Sequence, residues 1–168
     1  MPTTHNPLGI DIGGSGIKGA PVDLARGEFA KDRLRYENPK LSSPEAVVDI
    51  VVQIAEHFAD DNGDSPIGVT LPAVVTNGVV RTAANIDPAW IGTDARKLLS
   101  DRLGRSVTVI NDADAAGLGE LHFGAARDAS GLVLMSTLGT GIGSALFYNG
   151  VLVPNSELGH LEIDGRDA

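Results

Sequence analysis

The segment Leu8-Gly-Ile-Asp-Ile-Gly-Gly-Ser-Gly-Ile-Lys18 joins two apolar runs through a cluster of glycines. The pattern predicts a β-hairpin with a wide glycine turn, because short apolar runs around such a cluster are typical of paired strands. Rossmann fingerprints and Walker loops both lead into a helix, so a turn that leads into a second strand is neither. Two interpretations remain: a plain glycine hairpin, or a turn that approaches a bound phosphate.

The phosphate interpretation depends on the missing β-carbons of this turn. They let the backbone N–H groups of Gly13, Gly14 and Gly16 approach phosphate oxygens, and the Ser15 hydroxyl is a further donor. Asp11, just before the turn, would hold Mg²⁺ directly or through water.

A second glycine turn at Gly139-Thr140-Gly141-Ile-Gly143 follows the apolar run Leu132 to Met135 and precedes the run Ser144 to Tyr148. Two hairpins of the same kind predict a duplicated α/β unit, with one phosphate-facing loop in each copy. The second copy stops at Ala168. We therefore expect a longer polypeptide and, within these residues, uncovered first strands of the second sheet.

The elements between the two turns alternate between helix and strand. We predict a third strand at Phe29 to Tyr36, a helix from Ser43-Pro44-Glu45 to Asp61, a buried strand at Ile67 to Leu71, a hairpin around Asn77-Gly78, a helix from Thr93 or Asp94 to Gly104, and a strand at Val107 to Ile110. A weak helix, Ala115 to Phe123, follows the last strand. The order favours an α/β fold with domains at 1–110 and 111–168.

Asn111 and Asp112 fall where a strand ends and a helix begins, which is where open α/β sheets bind ligands. The helix dipole favours an ionised carboxylate there, which suits a residue that accepts a hydroxyl proton. The alternative is that Asp112 only caps the helix. Asp114 competes for that role and would leave Asp112 free for chemistry.

Glu157-Leu-Gly-His160 places a carboxylate and an imidazole three residues apart, beside a glycine that lets a ligand come close. Such groups bind sugars, although a solvated loop is the alternative. In the loop Thr82-Ala-Ala-Asn85 to Trp90, the tryptophan is expected to be a packing residue and not a stacking platform for sugar.

Lys31, Arg33 and Arg35 alternate in the predicted third strand, which would place three cations on one face. A charged edge strand explains them, since charge protects an edge from aggregation. The alternative is a track for a long polyanionic phosphate donor.

Composition narrows the functional classes. The 168 residues include 13 Lys and Arg against 22 Asp and Glu, so a net charge of −9 disfavours nucleic acid and anionic membranes as partners. There are no cysteines, which excludes disulfides and cysteine-ligated zinc. With no apolar run of membrane-spanning length, a soluble cytoplasmic protein is expected.

The motifs together resemble the ROK family of repressors and sugar kinases, and most closely its polyphosphate/ATP-glucokinase branch. They are Asp11-Ile-Gly-Gly-Ser-Gly-Ile-Lys18, Thr82-Ala-Ala-Asn85, Asn111-Asp112-Ala-Asp114, Leu138-Gly-Thr-Gly-Ile-Gly143 and Glu157-Leu-Gly-His160. The resemblance implies an actin-like (ribonuclease H-like) two-lobed α/β fold, with a small N-terminal lobe and the start of a larger second lobe that these residues leave incomplete.

The resemblance also implies roles for single residues. Asp112 would be the base for the 6-hydroxyl of glucose, or of mannose. The sugar ligands would be Asn85, Asn111, Asp112, Glu157 and His160, and the phosphate ligands Gly13, Gly14, Ser15, Gly16, Lys18, Gly139, Thr140 and Gly141. ATP or inorganic polyphosphate would be the donor, with Mg²⁺ at Asp11, and homodimers are common among such proteins.

Two departures from the family pattern matter. Many ROK proteins carry a cysteine-rich zinc site after the Gly-His pair, whereas this sequence reads Leu161-Glu-Ile-Asp-Gly-Arg-Asp-Ala168. Its absence favours the polyphosphate-using branch, so no zinc is expected. The sequence also ends before the C-terminal segment that the resemblance leads us to expect, so one alternative to a kinase is a fragment that binds sugar or phosphate without turnover. The other alternative is a non-enzymatic sugar sensor, because the family includes repressors.

Overall fold

The structure is a computed structural model that describes residues 5–84, 86–139, 141–163 and 165–167. The chain divides into two compact units, Met1–Ile110 and Asn111–Ala168. No helix in the part described is long and apolar enough to cross a membrane.

The first unit is a sheet with helices. Its strands are β1 (Leu8–Gly13), β2 (Gly16–Asp23), β3 (Glu28–Phe29), β4 (Leu34–Tyr36), β5 (Ile67–Leu71), β6 (Val75–Thr76), β7 (Val79–Val80) and β8 (Val107–Asn111). Its α-helices are α1 (Pro44–His57), α2 (Ala59–Asn62) and α3 (Ala95–Leu103), and a short 3₁₀ turn covers Pro88–Trp90.

The main sheet has the order β3-β2-β1-β5-β8, with β4 also paired to β2. Strand β1 is antiparallel to β2 and parallel to β5, which confirms the predicted hairpin and the buried strand at residues 67–71. The turn is narrower than predicted, because Gly13 already pairs with Gly16 and only Gly14 and Ser15 connect the strands.

Helix α1 covers this sheet with the apolar stripe that its sequence predicts. Val47, Val48, Val51 and Ile54 are at most 2% exposed and join the core formed by β1, β2 and β5. Each such side chain contributes about 1.5–3 kcal/mol through burial. The helix begins where predicted, since the Ser43 hydroxyl accepts from Ala46 N at 3.4 Å.

The remaining local signals of this unit are also confirmed. Asp94 caps α3 by accepting from Lys97 N at 2.8 Å, and the helix ends at Gly104 in the left-handed conformation. Asn77 and Gly78, both with positive φ, form the turn between β6 and β7. Trp90 is fully buried and donates from Nε1 to Ser42 O, so it is a packing residue.

The predicted third strand is instead two short strands, β3 and β4, separated by residues 30–33. Pro21 explains the break. Its carbonyl accepts from Ala30 N at 2.9 Å, but proline has no N–H with which to complete the ladder. Lys31 and Arg33 therefore lie outside any strand, and the prediction of three cations on one strand face is wrong.

The second unit pairs one helix with a small sheet. Its elements are α4 (Asp112–Phe123), β9 (Leu132–Leu138), β10 (Ile142–Tyr148), β11 (Val151–Val153), a 3₁₀ turn at Leu158–His160, β12 (Glu162–Ile163) and β13 (Arg166–Asp167). Strands β9, β10 and β11 form an antiparallel sheet in the order β11-β10-β9, with α4 packed on β10. As in β1 and β2, an antiparallel pair is joined through a glycine turn.

One face of this sheet carries exposed apolar side chains. Leu132, Leu134 and Leu138 of β9 are 71%, 54% and 84% exposed, and Val151 of β11 is 68% exposed. The opposite face, represented by Ala145 and Phe147, is buried. Uncovered first strands were predicted for this sheet, and this face matches that expectation.

Candidate active site

Asn111 connects β8 to α4 and caps the helix. Its Oδ1 accepts from Asp114 N at 2.9 Å, so neither Asp112 nor Asp114 is the cap, contrary to the alternatives that the sequence left open. Asp112 is the first helical residue, is half-buried, and accepts from Ala113 N at 2.9 Å. Its carboxylate thus lies at the positive end of the α4 dipole.

Glu157 is held against the start of α4 by the same asparagine. Asn111 Nδ2 donates to Glu157 Oε1 at 3.0 Å, although the two residues are 46 positions apart. His160 follows one short turn later, with Nε2 3.7 Å from Glu157 Oε2. The structure therefore brings Asn111, Asp112, Glu157 and His160 into one unit, whereas Asn85 lies outside the described residues.

The loop that carries Glu157 is anchored at three points. Asp114 Oδ2 accepts from Asn155 N at 2.8 Å, and Ser144 Oγ accepts from Leu158 N at 2.8 Å. Gly159 lies so close to β10 that a β-carbon would be 1.9 Å from Ile142 O, so only glycine fits. The glycine of the Glu-Leu-Gly-His motif is explained by this packing and not by ligand approach.

Three carboxylates shape the electrostatics of this site. Burial raises the pKa of Glu157; His160 opposes the shift, and the negative charges of Asp112 and Asp114 add to it. Burial also raises the pKa of Asp114, and the hydrogen bond from Asn155 N offsets part of that shift. Carboxylate and amide oxygens gathered in this way can accept hydrogen bonds from several hydroxyl groups of one ligand.

The first glycine turn is held by two side chains that approach its carbonyls. Asn38 Nδ2 donates to Gly13 O at 3.0 Å and to Gly14 O at 2.9 Å. Arg35 Nη2 donates to Ser15 O at 2.9 Å. Sequence reasoning assigned no role to Asn38, because a single asparagine in a loop carries no signal of its own.

Gly16 shows why this turn requires glycine. Its φ is +140°, and a β-carbon there would lie 2.7 Å from Tyr36 O. The requirement for glycine at position 16 is therefore explained by the close packing of β4. Gly14 is different, since no described atom lies within 4 Å of the position its β-carbon would take. The β-carbon position of Gly14 is therefore open, and packing among the described residues does not explain this glycine.

Asp11 lies in β1, two residues before the strand ends at Gly13. Its Oδ1 accepts from Thr70 Oγ1 at 2.8 Å, and its Oδ2 is 3.9 Å from Lys18 Nζ. The side chain is 48% exposed. Among the described residues no group of three or more His, Cys, Asp or Glu side chains could hold a metal ion. Mg²⁺ is commonly held by one carboxylate together with water and substrate phosphates, which a half-exposed Asp11 fits.

The second glycine turn is open. Gly139 N donates to Gly141 O at 3.0 Å across the turn, and no described atom would contact a β-carbon at either glycine. Thr140 lies outside the described residues. Packing among the described residues therefore explains neither Gly139 nor Gly141.

A cavity of about 500 Å³ lies beside the first glycine turn. Gly13, Gly14 and Asn38 form one wall, and Lys40 contributes a cationic side chain. Ala84 and Ile86, the neighbours of Asn85, also line it. The first phosphate-loop candidate and Ala84 of the second motif thus border one space in the first unit.

The three basic residues of the predicted third strand have separate partners. Lys31 Nζ is 3.2 Å from Asp61 Oδ1, and the Arg33 guanidinium lies over the Phe29 ring at 5.6 Å. Of the three, Arg35 is the one whose recorded contact is with the glycine turn, through Ser15 O. These contacts do not support a continuous cationic track.

Comparison with protein families matches residues 7–167 to the ROK family. The chain is similar to polyphosphate glucokinase of Mycobacterium leprae, at 51% identity over 98% of this chain and 50% of that protein. It is also similar to polyphosphate glucokinase of Mycobacterium tuberculosis, at 50% identity over 99% of this chain and 62% of that protein.

A solved structure is similar along the same span. The crystal structure of inorganic polyphosphate/ATP-glucomannokinase from Arthrobacter sp. strain KM matches with a TM-score of 0.93 and 50% identity, over 98% of this chain and 66% of that one. This similarity confirms the predicted α/β sugar-kinase fold. The chain spans between half and two thirds of the length of these relatives.

Proposed function

The chain belongs to the ROK family, and from this premise we propose that the protein transfers a phosphoryl group from polyphosphate, ATP or both to the 6-hydroxyl of glucose. The observation that carries the proposal is the hydrogen bond from Asn111 to Glu157, which holds a carboxylate against the residue that precedes Asp112 and so supports a sugar-binding role for this group. The 50% identity to polyphosphate glucokinases over nearly the whole chain supports this function.

Asp112 is the proposed catalytic base. Asp112 lies in the first turn of α4, where the helix dipole favours a negative charge, and a carboxylate in this position suits acceptance of the proton of the 6-hydroxyl. The hydroxyl oxygen then bonds to the terminal phosphorus as the bond between that phosphorus and the donor oxygen breaks. Asp112 also orients the hydroxyl for an in-line approach to the phosphorus. In phosphoryl transfer, such positioning of the reactants provides much of the rate acceleration.

The sugar is proposed to be held by groups that hydrogen-bond its other hydroxyls. Asn111 and Glu157 offer an amide and a carboxylate already fixed against each other at 3.0 Å. His160, half-exposed at 50% of its side chain, is placed to contact a ligand from the side of the 3₁₀ turn. Asn85 is retained as a proposed sugar ligand. Mannose, the 2-epimer of glucose, is proposed as a second substrate.

Phosphate binding is proposed for both glycine turns, with the first supplying Gly13, Gly14, Ser15 and Gly16 together with Lys18, and the second supplying Gly139, Thr140 and Gly141. The open space at Gly14 and at the second turn supports this assignment. Bound at Asp11, Mg²⁺ would supply positive charge that neutralises the donor phosphates.

Both donors are proposed, because the similar structure is named for polyphosphate and ATP. A polyphosphate track along Lys31 and Arg33 is not part of the proposal, since these side chains contact Asp61 and Phe29. Lys40, exposed beside the cavity at the first turn, is a better candidate for contact with a long polyanion.

The test is an assay for transfer of phosphate from the donor to sugar, which detects any sugar phosphate, on the full-length protein. Glucose, mannose and N-acetyl sugars are each combined with ATP and with polyphosphate, using wild type and Asp112→Asn. We expect phosphorylation of glucose and a loss of about 10²- to 10⁴-fold in kcat in the variant, the usual range for removal of a general base. The KM for glucose should stay within about threefold, because the amide keeps the shape of the side chain.

Equal rates for wild type and Asp112→Asn show that Asp112 is not the base. Glucose binding by calorimetry without turnover on any donor instead supports a sugar sensor, the alternative known within the same family. Sedimentation of the same protein sample tests the expected homodimer.

A further inference from the structure

Asp114 is a buried carboxylate that the proposed chemistry does not use. The residue is 1% exposed and lies in the first turn of α4, yet Asn111 performs the capping. Its Oδ1 is buried with no hydrogen-bond partner among the residues that the structure describes. Burying a carboxylate is unfavourable unless a contact compensates for lost hydration, so the contact at Oδ2 is the feature to explain.

That contact reaches the loop before Glu157. Asp114 Oδ2 accepts from Asn155 N at 2.8 Å, across 41 residues of sequence. The loop has an unusual backbone, since Asn155 has φ of +57° and Glu157 has φ of +35°. Non-glycine residues in this region are strained by about 1–3 kcal/mol each, and they persist only where neighbouring groups fix them.

We propose that Asp114 is a positioning residue that holds the backbone of residues 155–158, so that Glu157 meets Asn111 in the geometry that binds sugar. This inference rests on the proposed function, because it assigns Glu157 to sugar. Ser144 provides the second anchor by accepting from Leu158 N at 2.8 Å. The two anchors lie on either side of Glu157, and both side chains are at most 4% exposed.

The role requires a hydrogen-bond acceptor at Oδ2 and not a negative charge. An amide oxygen can accept from Asn155 N in the same place, so Asp114→Asn should keep the loop in position. Asp114→Ala removes the acceptor and leaves a gap. Asp114→Leu removes it while filling a similar volume, so it separates the hydrogen bond from packing.

The experiment compares these three variants with wild type in the full-length protein. Asp114→Ala and Asp114→Leu should raise the KM for glucose about tenfold, which corresponds to loss of one net hydrogen bond of about 1.4 kcal/mol. The KM for the phosphate donor should stay within about twofold. Asp114→Asn should stay within about threefold of wild type on both substrates.

A control variant tests whether the removal of any buried polar side chain raises the KM for glucose. Asn62, in the first unit, is equally buried and donates to Asn6 O and Ser65 O. Asn62→Ala should lower Tm and leave the KM for glucose unchanged. If Asn62→Ala raises that KM as much as Asp114→Ala does, or if Asp114→Asn is as impaired as Asp114→Ala, positioning by Asp114 is overturned.

Amide hydrogen exchange without sugar gives a readout independent of activity. We expect faster exchange at Asn155 and Leu158 in Asp114→Ala and Asp114→Leu, and wild-type exchange in Asp114→Asn. If wild type phosphorylates no sugar but exchange changes as expected, the proposed function fails and the anchoring holds. If wild type is active and neither KM nor exchange responds to Asp114→Ala or Asp114→Leu, the anchoring alone fails.

Discussion

Asn111 uses both ends of its side-chain amide, accepting from Asp114 N at 2.9 Å and donating to Glu157 Oε1 at 3.0 Å. The first contact caps α4, and the second fixes the loop that carries Glu157. A single side chain therefore contacts both the start of α4 and the loop that carries Glu157. The two functions can be separated by substitution.

Asn111→Asp keeps the cap but replaces the link to Glu157 with two facing carboxylates. Aspartate caps as well as asparagine does, so α4 should still begin at residue 112. Because a hydrogen bond to a charged group is lost, the free energy of unfolding should fall by about 1.5–3 kcal/mol at pH 8. Part of this loss should be recovered near pH 5, where one shared proton restores a hydrogen bond between the carboxyl groups.

Thermal melts at pH 8 and pH 5 check this expectation. Asn111→Ser is the matched control, since serine also caps but brings no charge next to Glu157, and its deficit at pH 8 should be smaller than that of Asn111→Asp. A variant Asn111→Asp that melts like wild type at pH 8 shows that the contact with Glu157 contributes nothing to stability.

Glu157→Gln should change stability with pH in a defined direction. Because burial raises the pKa of Glu157 in the folded protein, this group's contribution is fully present below its unfolded pKa of about 4.3 and is lost as pH rises through the folded pKa. Glutamine does not titrate. The Tm of Glu157→Gln relative to wild type should therefore increase from pH 4 to pH 7.

The same variant should bind glucose more weakly, by about 10- to 100-fold in KM, because a charged acceptor contributes about 1.5–3 kcal/mol per hydrogen bond. Glutamine Oε1 can still accept from Asn111, so the loop should stay in place. A Tm difference that is flat between pH 4 and pH 7 contradicts the raised pKa.

Asn38→Asp tests how the first glycine turn is held. The amide donates to the carbonyls of Gly13 and Gly14, whereas an ionised carboxylate would repel both oxygens. We expect the KM for the phosphate donor to rise about tenfold, equivalent to about 1.4 kcal/mol, with the KM for glucose within about twofold. Glu37→Gln, at the exposed neighbouring position, is the control for a change of charge.

Steady-state kinetics with both donors provides the measurement. An unchanged donor KM in Asn38→Asp means that the turn is stable without Asn38 or does not bind phosphate. The variant Gly14→Val separates these two explanations. It should weaken donor binding if phosphate occupies the open space at Gly14, and it should leave donor binding unchanged if the turn does not bind phosphate.

Features set by neighbouring residues were predictable from sequence. The caps at Ser43 and Asp94 and the Asn77-Gly78 turn depend on contacts within a few positions, and the structure confirms them. The candidate ligand motifs were also visible in the sequence one by one, and their roles stay predictions. What the sequence could not supply is which distant groups hold each motif, as with Asn38 at the glycine turn and Asp114 at Asn155.

The split third strand is a different kind of error, because its cause is visible in the sequence. Pro21 lies in β2, and a proline that faces a neighbouring strand cannot complete the ladder. The alternation of Lys31, Arg33 and Arg35 favoured a continuous strand instead. Charged residues at alternate positions predict a continuous strand only weakly. A proline in the neighbouring strand is stronger evidence that the pairing is interrupted.

Gly117 and Gly119 of α4 test the packing that supports Asp112 and Asp114. Helix propensity alone predicts that alanine at either position stabilises the helix by about 0.8–1 kcal/mol. The surroundings differ, since a β-carbon at Gly117 would lie 2.6 Å from Ala145 Cβ and 2.8 Å from Phe147 Cε2. Gly119 is exposed, and no described atom lies within 4 Å of its β-carbon position.

Gly119→Ala should therefore raise the free energy of unfolding by about 0.5–1 kcal/mol, and Gly117→Ala should lower it by about 1–3 kcal/mol through overpacking against β10. Urea denaturation of the two variants measures both values against wild type. Because α4 begins at Asp112, Gly117→Ala should also reduce kcat, whereas Gly119→Ala should not. Equal stabilisation by both substitutions means that α4 does not pack on β10 through Gly117, and the position of Asp112 would then need another support.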